Sequence, residues 1–184
     1  MTREEAYKLV TDWTENKNLV KHMLAVEAEM RALAKHLGED EEQFGLAGLI
    51  HDADYEKYPK EHPRKTLEWL KENNAPDWLY NAVACHAWKF NGMTEVPETK
   101  LEWALYTCDE LSGFIIACAL VRPDRKLSSL SVESILKKWP QKAFAAGVHR
   151  PQIELCEEKL GIKLKEFINI CLKALQDISK DLGL

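Results

Sequence analysis

Three observations in the 184-residue sequence predict an all-α fold. Apolar residues recur at alternating steps of three and four, which is the period of one face of a helix. Residues that favour helix ends stand at both ends of these runs. No stretch shows the sustained β-branched alternation that is typical of strands. We therefore expect a compact domain that consists of helices and is not a regular four-helix bundle.

The first two helices are defined by their caps and by an apolar stripe. Thr2 followed by Glu5 is a capping box, in which each residue satisfies a free backbone N–H group of the other. The second helix ends at Gly38, which tolerates the left-handed backbone of a helix C-terminus. The apolar stripe of this second helix comprises Leu19, Met23, Val26, Met30, Leu33 and Leu37.

A third helix is predicted to run from its cap at Asp40 toward His51. Gly45 and Gly48 lie inside this helix and lower its intrinsic propensity. A glycine that costs helix propensity needs a compensating use. We expect the two glycines to allow the close approach of a neighbouring helix.

Prolines mark the helices in the middle of the chain. Pro63 fits the first turn of a fourth helix, and Pro76 fits the start of a fifth. A long helix is predicted from Leu101 to Val121, and Pro123 stops it. The chain therefore returns to helix after each proline-containing segment.

The C-terminal part is also predicted to be helical. Ser131 can cap a short helix that ends before Pro140, and Pro151 opens another helix that Gly161 closes. A last helix spans about residues 164–178. We expect one domain over residues 1–184, with a core at about 18–122 and a C-terminal helical extension at about 123–184.

Composition limits the possible partners and the location of the protein. A net charge of −5 disfavours binding to a nucleic-acid polymer but permits a local basic pocket. The longest apolar run, Phe114–Val121, is shorter than the roughly 20 residues of a membrane span, and residues 1–5 lack the apolar core of a signal peptide. The five cysteines are scattered and form no Cys-x-x-Cys motif, which favours reduced thiols in the cytoplasm. We expect a cytoplasmic protein without membrane contact, in which an oligomer is possible.

The adjacent pair His51–Asp52 is the most informative feature for function. It follows the apolar stretch Phe44–Ile50 and precedes a polar, turn-prone segment. An imidazole and a neighbouring carboxylate can give one divalent metal ion a nitrogen and an oxygen ligand. Because two ligands do not make a stable site, the pair indicates a metal only if other segments supply more ligands.

Other candidate ligands lie on or beside the apolar stripes: His22, His62, His86 and Asp109. Asp109 follows Leu105 by four residues, so it faces the core side of its helix. An unpaired buried carboxylate costs several kcal/mol, which favours a metal or a cationic partner there. Each residue alone has a simpler explanation, because a histidine on an apolar face is more often a hydrogen-bonded core residue. Asp109 alone could pair with a buried Arg or Lys.

Several polar residues near these candidates are assigned other roles. His36 lies at a helix C-terminus, where a cation suits the helix dipole, and His149 is predicted to lie in a loop. Glu110 is expected to point away from the site and to be exposed. Asp54 and Glu56 could orient ligands or donate a proton, or they could be simple loop acids.

The order His22, His51–Asp52, Asp109 resembles the H…HD…D signature of the HD superfamily of metal-dependent hydrolases. The resemblance extends from the second helix to the helix of Asp109, and it implies an all-α fold. It implies that the first metal is held by four residues: His22, His51, Asp52 and Asp109. His62 and His86 are similar to the extra histidines of members that hold two metals, which implies that Asp52 bridges the ions and is the catalytic residue.

The resemblance implies a phosphohydrolase that acts on a nucleotide or another small phosphorylated metabolite. The motif Tyr58-Pro59 lacks the preceding glycine of the cyclic-dinucleotide phosphodiesterases, so that substrate is not carried over. The mixed imidazole and carboxylate ligands admit one or two ions of Mn, Fe, Co, Ni or Zn. Candidate phosphate-binding residues are Lys89, Arg122, Arg125 and Lys126, although any one of them could belong to a solvated charged surface.

Three other functions remain open at this stage. HD-fold di-iron oxygenases use the same order of ligands, so iron content with oxygen uptake would favour an oxygenase. A non-catalytic nucleotide-binding regulatory module could keep the fold, although the complete ligand set argues against it. A helical scaffold with coincidental histidines is the fourth possibility.

Overall fold

The computed structural model describes all residues, 1–184, as α-helices and connecting segments, with one short 3₁₀ turn and no strand. The all-α prediction is confirmed. The helices are α1 (Arg3–Trp13), α2 (Lys17–Leu37), α3 (Glu41–Ile50), α4 (Arg64–Glu72), α5 (Asp77–His86), α6 (Lys100–Leu120), α7 (Val132–Lys138), α8 (Arg150–Leu160), α9 (Leu164–Asp177) and α10 (Ser179–Leu182).

Local capping explains where many of these helices begin and end. Thr2 and Glu5 form the expected capping box at α1, and the side chain of Asp40 accepts two backbone N–H groups at the start of α3. Gly38 and Gly161 end α2 and α8 with φ values of 70° each, in the left-handed region that favours glycine. These ends therefore follow from side chains within a few residues of each terminus.

Helices α2 and α6 lie at the centre of the fold. α3 and α9 pack against α2, while α5 and α8 pack against α6. One continuous apolar core joins residues from α1 to α10, and Phe114 and Phe167 are among its largest fully buried side chains. Helix α6 is long and apolar enough to cross a membrane, yet 67% of its most apolar stretch is buried within the protein, as in a core helix of a soluble fold.

Gly48 allows α3 to touch α2 backbone to backbone. A Cβ atom on Gly48 would lie 2.8 Å from the carbonyl oxygen of Val26 and 3.0 Å from the backbone nitrogen of Glu27. A Cβ atom on Gly45 would meet only the side chain of Arg31. The expected close approach therefore occurs at both glycines, and at Gly48 it brings the C-terminal end of α3 beside α2.

Replacing Gly48 by alanine is expected to destabilise the fold by about 1–3 kcal/mol, because the new methyl group would force two packed backbones apart. Gly113 in α6 is a matched control, because its nearest contact to an added Cβ is 4.0 Å away, at Val148. Gly113→Ala should stabilise by up to about 1 kcal/mol through helix propensity alone. Urea unfolding measures both values, and equal effects of the two substitutions would contradict this account of Gly48.

Candidate metal centre

Six histidine and aspartate side chains from separate segments meet beside the core. The segments are α2, the two residues that follow α3, the segment before α4, the end of α5, and the middle of α6. Helices that converge in this way can point side chains at one point in space. The six residues are His22, His51, Asp52, His62, His86 and Asp109.

Four of these residues form the first group. The Nε2 atom of His22 lies 2.9 Å from Oδ1 of Asp109, and Nε2 of His51 lies 3.4 Å from the same oxygen. Oδ2 of Asp52 lies 3.6 Å from Nε2 of His51 and 3.9 Å from Nε2 of His22. Two imidazoles and two carboxylates therefore face one another across a small space.

The other carboxylate oxygen of Asp52 belongs to a second group. Its Oδ1 lies 3.3 Å from Nε2 of His62 and 3.5 Å from Nε2 of His86. In each group of three residues that includes Asp52, the candidate ligand atoms lie within 4.8 Å of one another, close enough to hold a metal ion. Asp52 thus presents one oxygen to each of two imidazole pairs.

The Nε2 atoms of the imidazoles face positions where a cation would be favourable. His51 donates through Nδ1 to the carbonyl oxygen of Gly48 at 2.7 Å, and its fully buried Nε2 atom has no hydrogen-bond partner. The Nε2 atoms of His62 and His86 lie 3.1 Å apart. A histidine that donates through one ring nitrogen presents the lone pair of the other, so these atoms are oriented as metal ligands are.

The centre concentrates negative charge. Burial lowers the pKa of His51, but Asp52 and Asp109 more than offset this and raise that pKa to about 9. Burial raises the pKa of Asp109, yet the neighbouring His51 and His22 hold it well below its usual value. Burial likewise raises the pKa of Asp52, but His51 and His86 more than offset this and lower it. Both aspartates are therefore carboxylates at neutral pH, and a protonated imidazole partly neutralises them when no metal ion is bound.

Asp54 orients one of the candidate ligands. It is fully buried, and its Oδ1 accepts a hydrogen bond of 2.6 Å from Nδ1 of His62. Its Oδ2 accepts the backbone N–H groups of Lys65 and Thr66, each at 3.0 Å. Of the roles considered for Asp54, the structure supports orientation of a ligand. Glu56 instead accepts the backbone N–H of Asn16 at the surface.

Replacing Asp54 by alanine is expected to weaken metal binding at the His62 side of the centre by about 10- to 100-fold, because the imidazole loses the carboxylate that fixes it. Calorimetric titration of metal-free protein with Mn²⁺ or Zn²⁺ measures the change. Glu56→Ala is the matched control, since this acid lies two residues away and bonds only to a surface amide. Equal affinities of the Asp54 variant and the wild type would contradict the orienting role.

A cavity of about 550 Å³ opens above the centre, a volume that suits one small molecule. Its floor includes four of the six residues, Asp52, His62, His86 and Asp109. Its walls comprise Tyr55, Ala87, Trp88, Lys89, Phe90, Tyr106, Glu110, His149 and Gln152.

Of the four basic residues predicted to bind phosphate, the cavity is lined by Lys89 alone, whose Nζ lies 3.8 Å from the centroid of the Trp88 ring. Arg122, Arg125 and Lys126, which were also predicted to bind phosphate, do not line this cavity. These three residues follow the end of α6, which lies about three helical turns, or about 17 Å along the axis, beyond Asp109.

The cavity is lined by two residues that the sequence analysis places away from the site. Glu110 was expected to be exposed, but it is half-buried at the cavity wall, and its Oε2 accepts the backbone N–H of His149 at 2.8 Å. His149 was expected to be an uninvolved loop residue. Glu110 is adjacent to Asp109, so a signal was present for it. No local pattern marks His149, because its proximity depends on the packing of α8 against α6.

The helical fold and the His–Asp cluster define a class of protein in which separate helices supply ligands to a candidate metal centre. The family model described as HD domain matches residues 19–120, more than half of the chain and all six cluster residues, so the chain belongs to the HD-domain family. This superfamily consists generally of metal-dependent phosphohydrolases and binds divalent metal ions. No curated protein and no solved structure matches the chain.

Proposed function

We propose that the protein is a metal-dependent phosphohydrolase that acts on a nucleotide or another small phosphorylated metabolite. The observation that carries this proposal is the position of Asp52, whose two oxygens face two separate imidazole pairs beneath a cavity of small-molecule size. Such an arrangement suits two ions that share one carboxylate, as in two-metal phosphatases.

The proposed ligands fall into two overlapping sets. The first set is His22, His51, Asp52 and Asp109, and the second is Asp52, His62 and His86. Nitrogen and oxygen ligands of this kind suit Mn, Fe, Co, Ni or Zn. When bound, divalent ions of this type acidify a water molecule and neutralise the oxygens of a phosphoryl group.

The walls of the cavity suit the remaining parts of a phosphorylated substrate. Lys89 is the one cationic side chain of Lys or Arg type in the lining, so its ammonium can pair with a phosphate oxygen at the rim. Tyr55 and Phe90 flank His62, with ring centroids 5.2 and 6.0 Å away, and remain 41% and 46% exposed. Exposed aromatic rings at the mouth of a polar site are suited to contact an organic group such as a base or a sugar.

The same features support a small ligand and a cytoplasmic location. A net charge of −5 and a single lysine at the cavity are unfavourable for a nucleic-acid polymer. All five cysteines are free and buried, in keeping with a reducing compartment. Cys85 and Cys108 adjoin His86 and Asp109, but neither thiol belongs to the groups of candidate ligand atoms. Burial raises the pKa of both thiols.

The test is elemental analysis of the purified protein combined with a phosphate-release screen. Nucleoside 5′-monophosphates and sugar phosphates would be assayed with added Mn²⁺ or Co²⁺. We expect up to two ions per chain and release of inorganic phosphate from at least one substrate. Protein with confirmed metal content that releases no phosphate from any of them would overturn the proposal.

The second candidate function is a di-iron oxygenase, which the same two ligand sets around Asp52 would also suit. The two functions differ in the metal and in the co-substrate. Two iron atoms per chain together with oxygen consumption, in the absence of phosphate release, would assign the protein to the oxygenases instead.

A further inference from the structure

The cavity is completed by a part of the chain that lies outside residues 19–120. His149 and Gln152, at the start of α8, form part of its wall. Helix α8 is held along α6 by the fully buried side chains of Ile153 and Cys156. The C-terminal helices therefore contribute directly to the site that the HD-domain segment builds.

Hydrogen bonds fix the start of α8 at the cavity. The backbone N–H of His149 donates to Oε2 of Glu110 at 2.8 Å, and Nε2 of Gln152 donates to the carbonyl oxygen of Tyr106 at 2.6 Å. Nη2 of Arg150 donates to the carbonyl oxygen of Phe144 at 2.6 Å. The backbone N–H of His149 and the side chains of Arg150 and Gln152 thus hold the start of α8 in place.

The imidazole of His149 is left free by this arrangement. His149 is the N-cap residue of α8, a position where Ser, Thr, Asp or Asn usually accepts a backbone N–H. Its side chain makes no such capping hydrogen bond and is exposed to solvent. A side chain with no part in capping, on a fixed backbone beside a candidate active site, is available for contact with a substrate.

Other proton-bearing groups also line the cavity: Tyr55, His62, His86, Lys89, Tyr106 and Glu110. Glu110 is engaged at the start of α8, where its Oε2 accepts the backbone N–H of His149. The two remaining lining histidines, His62 and His86, belong to the proposed ligand sets. The ammonium of Lys89 lies over the Trp88 ring, with Nζ 3.8 Å from the ring centroid. Burial and the charge of Glu110 raise the pKa of Tyr106, so this phenol holds its proton firmly. Imidazole is the side chain that exchanges a proton most readily near neutral pH.

We propose that His149 is a catalytic residue that donates a proton to the leaving oxygen when a phosphomonoester is hydrolysed. This inference rests on the proposed phosphohydrolase function. The oxygen of a water molecule forms a bond to phosphorus, and the bond from phosphorus to the ester oxygen breaks. The ester oxygen leaves with the electron pair and takes the proton of the His149 imidazolium, which gives the alcohol. The attacking water loses a proton to solvent, inorganic phosphate results, and solvent reprotonates the imidazole.

The test compares two leaving groups. A nucleoside 5′-monophosphate releases an alkoxide that needs a proton, whereas p-nitrophenyl phosphate releases a phenolate that is stable without one. His149→Gln and His149→Ala are expected to lower kcat for the nucleotide by about 10²- to 10⁴-fold, the usual contribution of a general acid. For p-nitrophenyl phosphate both variants should stay within about 10-fold of the wild type, because a positioned acid contributes little when the leaving group needs no proton.

Controls separate this role from a structural one. His36→Ala removes an imidazole at the end of α2 that pairs with Glu166 at 3.8 Å, and it should change neither rate. The melting temperature and the metal content of the His149 variants should equal those of the wild type. Equal losses on both substrates, or no loss on either, would overturn the role of His149 while leaving the phosphohydrolase proposal intact. Metal-loaded wild type that hydrolyses neither these substrates nor any in the wider screen would overturn both.

Discussion

Replacing Asp52 by alanine is expected to empty both metal positions and to abolish phosphate release. Its Oδ2 faces His22 and His51, and its Oδ1 faces His62 and His86. No other side chain of the cluster is shared between the two groups. Removing one electrostatic contact lowers the rate by roughly 10²- to 10³-fold. The loss of rate in Asp52→Ala should be larger, because both metal ions would leave the site together.

Single-histidine variants make this prediction specific. His22→Ala should lower the metal content on one side of Asp52, and His62→Ala should lower it on the other. Each is expected to retain up to one ion per chain, whereas Asp52→Ala retains none. Elemental analysis after gel filtration measures the stoichiometry, and circular dichroism should show unchanged helix content, since the helices are held by the apolar core and not by the cluster.

A surface aspartate provides the control for these variants. Asp12 forms an exposed pair with Lys8 within α1, so Asp12→Ala should change neither the metal content nor the rate. Unchanged metal stoichiometry in purified Asp52→Ala protein would contradict the proposed centre as a whole. Loss of one ion in that variant, with the other retained, would contradict the sharing of Asp52.

The sequence predicts well those features that depend on nearby residues. Helix ends follow from capping groups such as Asp40 and Gly38, which act within one turn of the chain. The inward direction of His22 and Asp109 follows from their spacing to apolar neighbours on the same helix. Both kinds of signal are local, and the structure brings the residues that carry them to the expected positions.

Features that depend on distance through space are harder to predict. Arg122 is close to Asp109 in sequence, yet it follows the end of α6, about three helical turns further on, and does not line the cavity. His149 is far from Asp109 in sequence, yet the packing of α8 on α6 returns it to the cavity. Neither the periodicity of a helix nor its caps specify which helices pack together, so these residues could not be placed by the same reasoning.

The sequence position of Glu29 indicates that this acid is buried. It follows Val26 by three residues and therefore lies on the apolar face of α2. The structure buries it completely, and neither carboxyl oxygen has a hydrogen-bond partner. Burial, together with the charge of Asp109, raises the pKa of Glu29 well above its usual value. The neighbouring Ser112 hydroxyl lowers that pKa only in part, so the buried carboxyl group is weakly compensated and favours its protonated form.

Replacing Glu29 by methionine is expected to stabilise the fold by about 1–3 kcal/mol near neutral pH, the usual cost of an unsatisfied buried polar group. Methionine is unbranched and flexible, so it can fill the same space without polar atoms. The unfolded chain releases the Glu29 proton above its ordinary pKa, while the folded chain keeps it. The contribution of Glu29 to stability is thus present at low pH and is lost as the pH rises toward the pKa that Glu29 has in the folded protein. The gain from methionine should therefore be larger at pH 8 than at pH 5.

Glu27 lies two residues away on the same helix and offers the matched control. It is also buried, but its carboxylate oxygens accept hydrogen bonds from Nε and Nη2 of Arg3 at 2.6 and 2.8 Å, and Oε1 also accepts one from Nε of Arg31 at 3.1 Å. Both arginines are partly exposed, so the pairs are partly screened, and Glu27→Met should destabilise by about 1–2 kcal/mol.

Urea unfolding of both variants at pH 5 and pH 8 measures the four differences in free energy of unfolding. Opposite signs for one substitution at two buried glutamates would mean that hydrogen-bond partners, and not burial alone, decide whether a carboxyl group stabilises α2. A destabilised Glu29→Met variant would contradict this assignment and would mean that Glu29 makes a stabilising contact in solution. Measuring the metal content alongside would then show whether that contact serves the centre, because Asp109 is the charged neighbour that raises the pKa of Glu29.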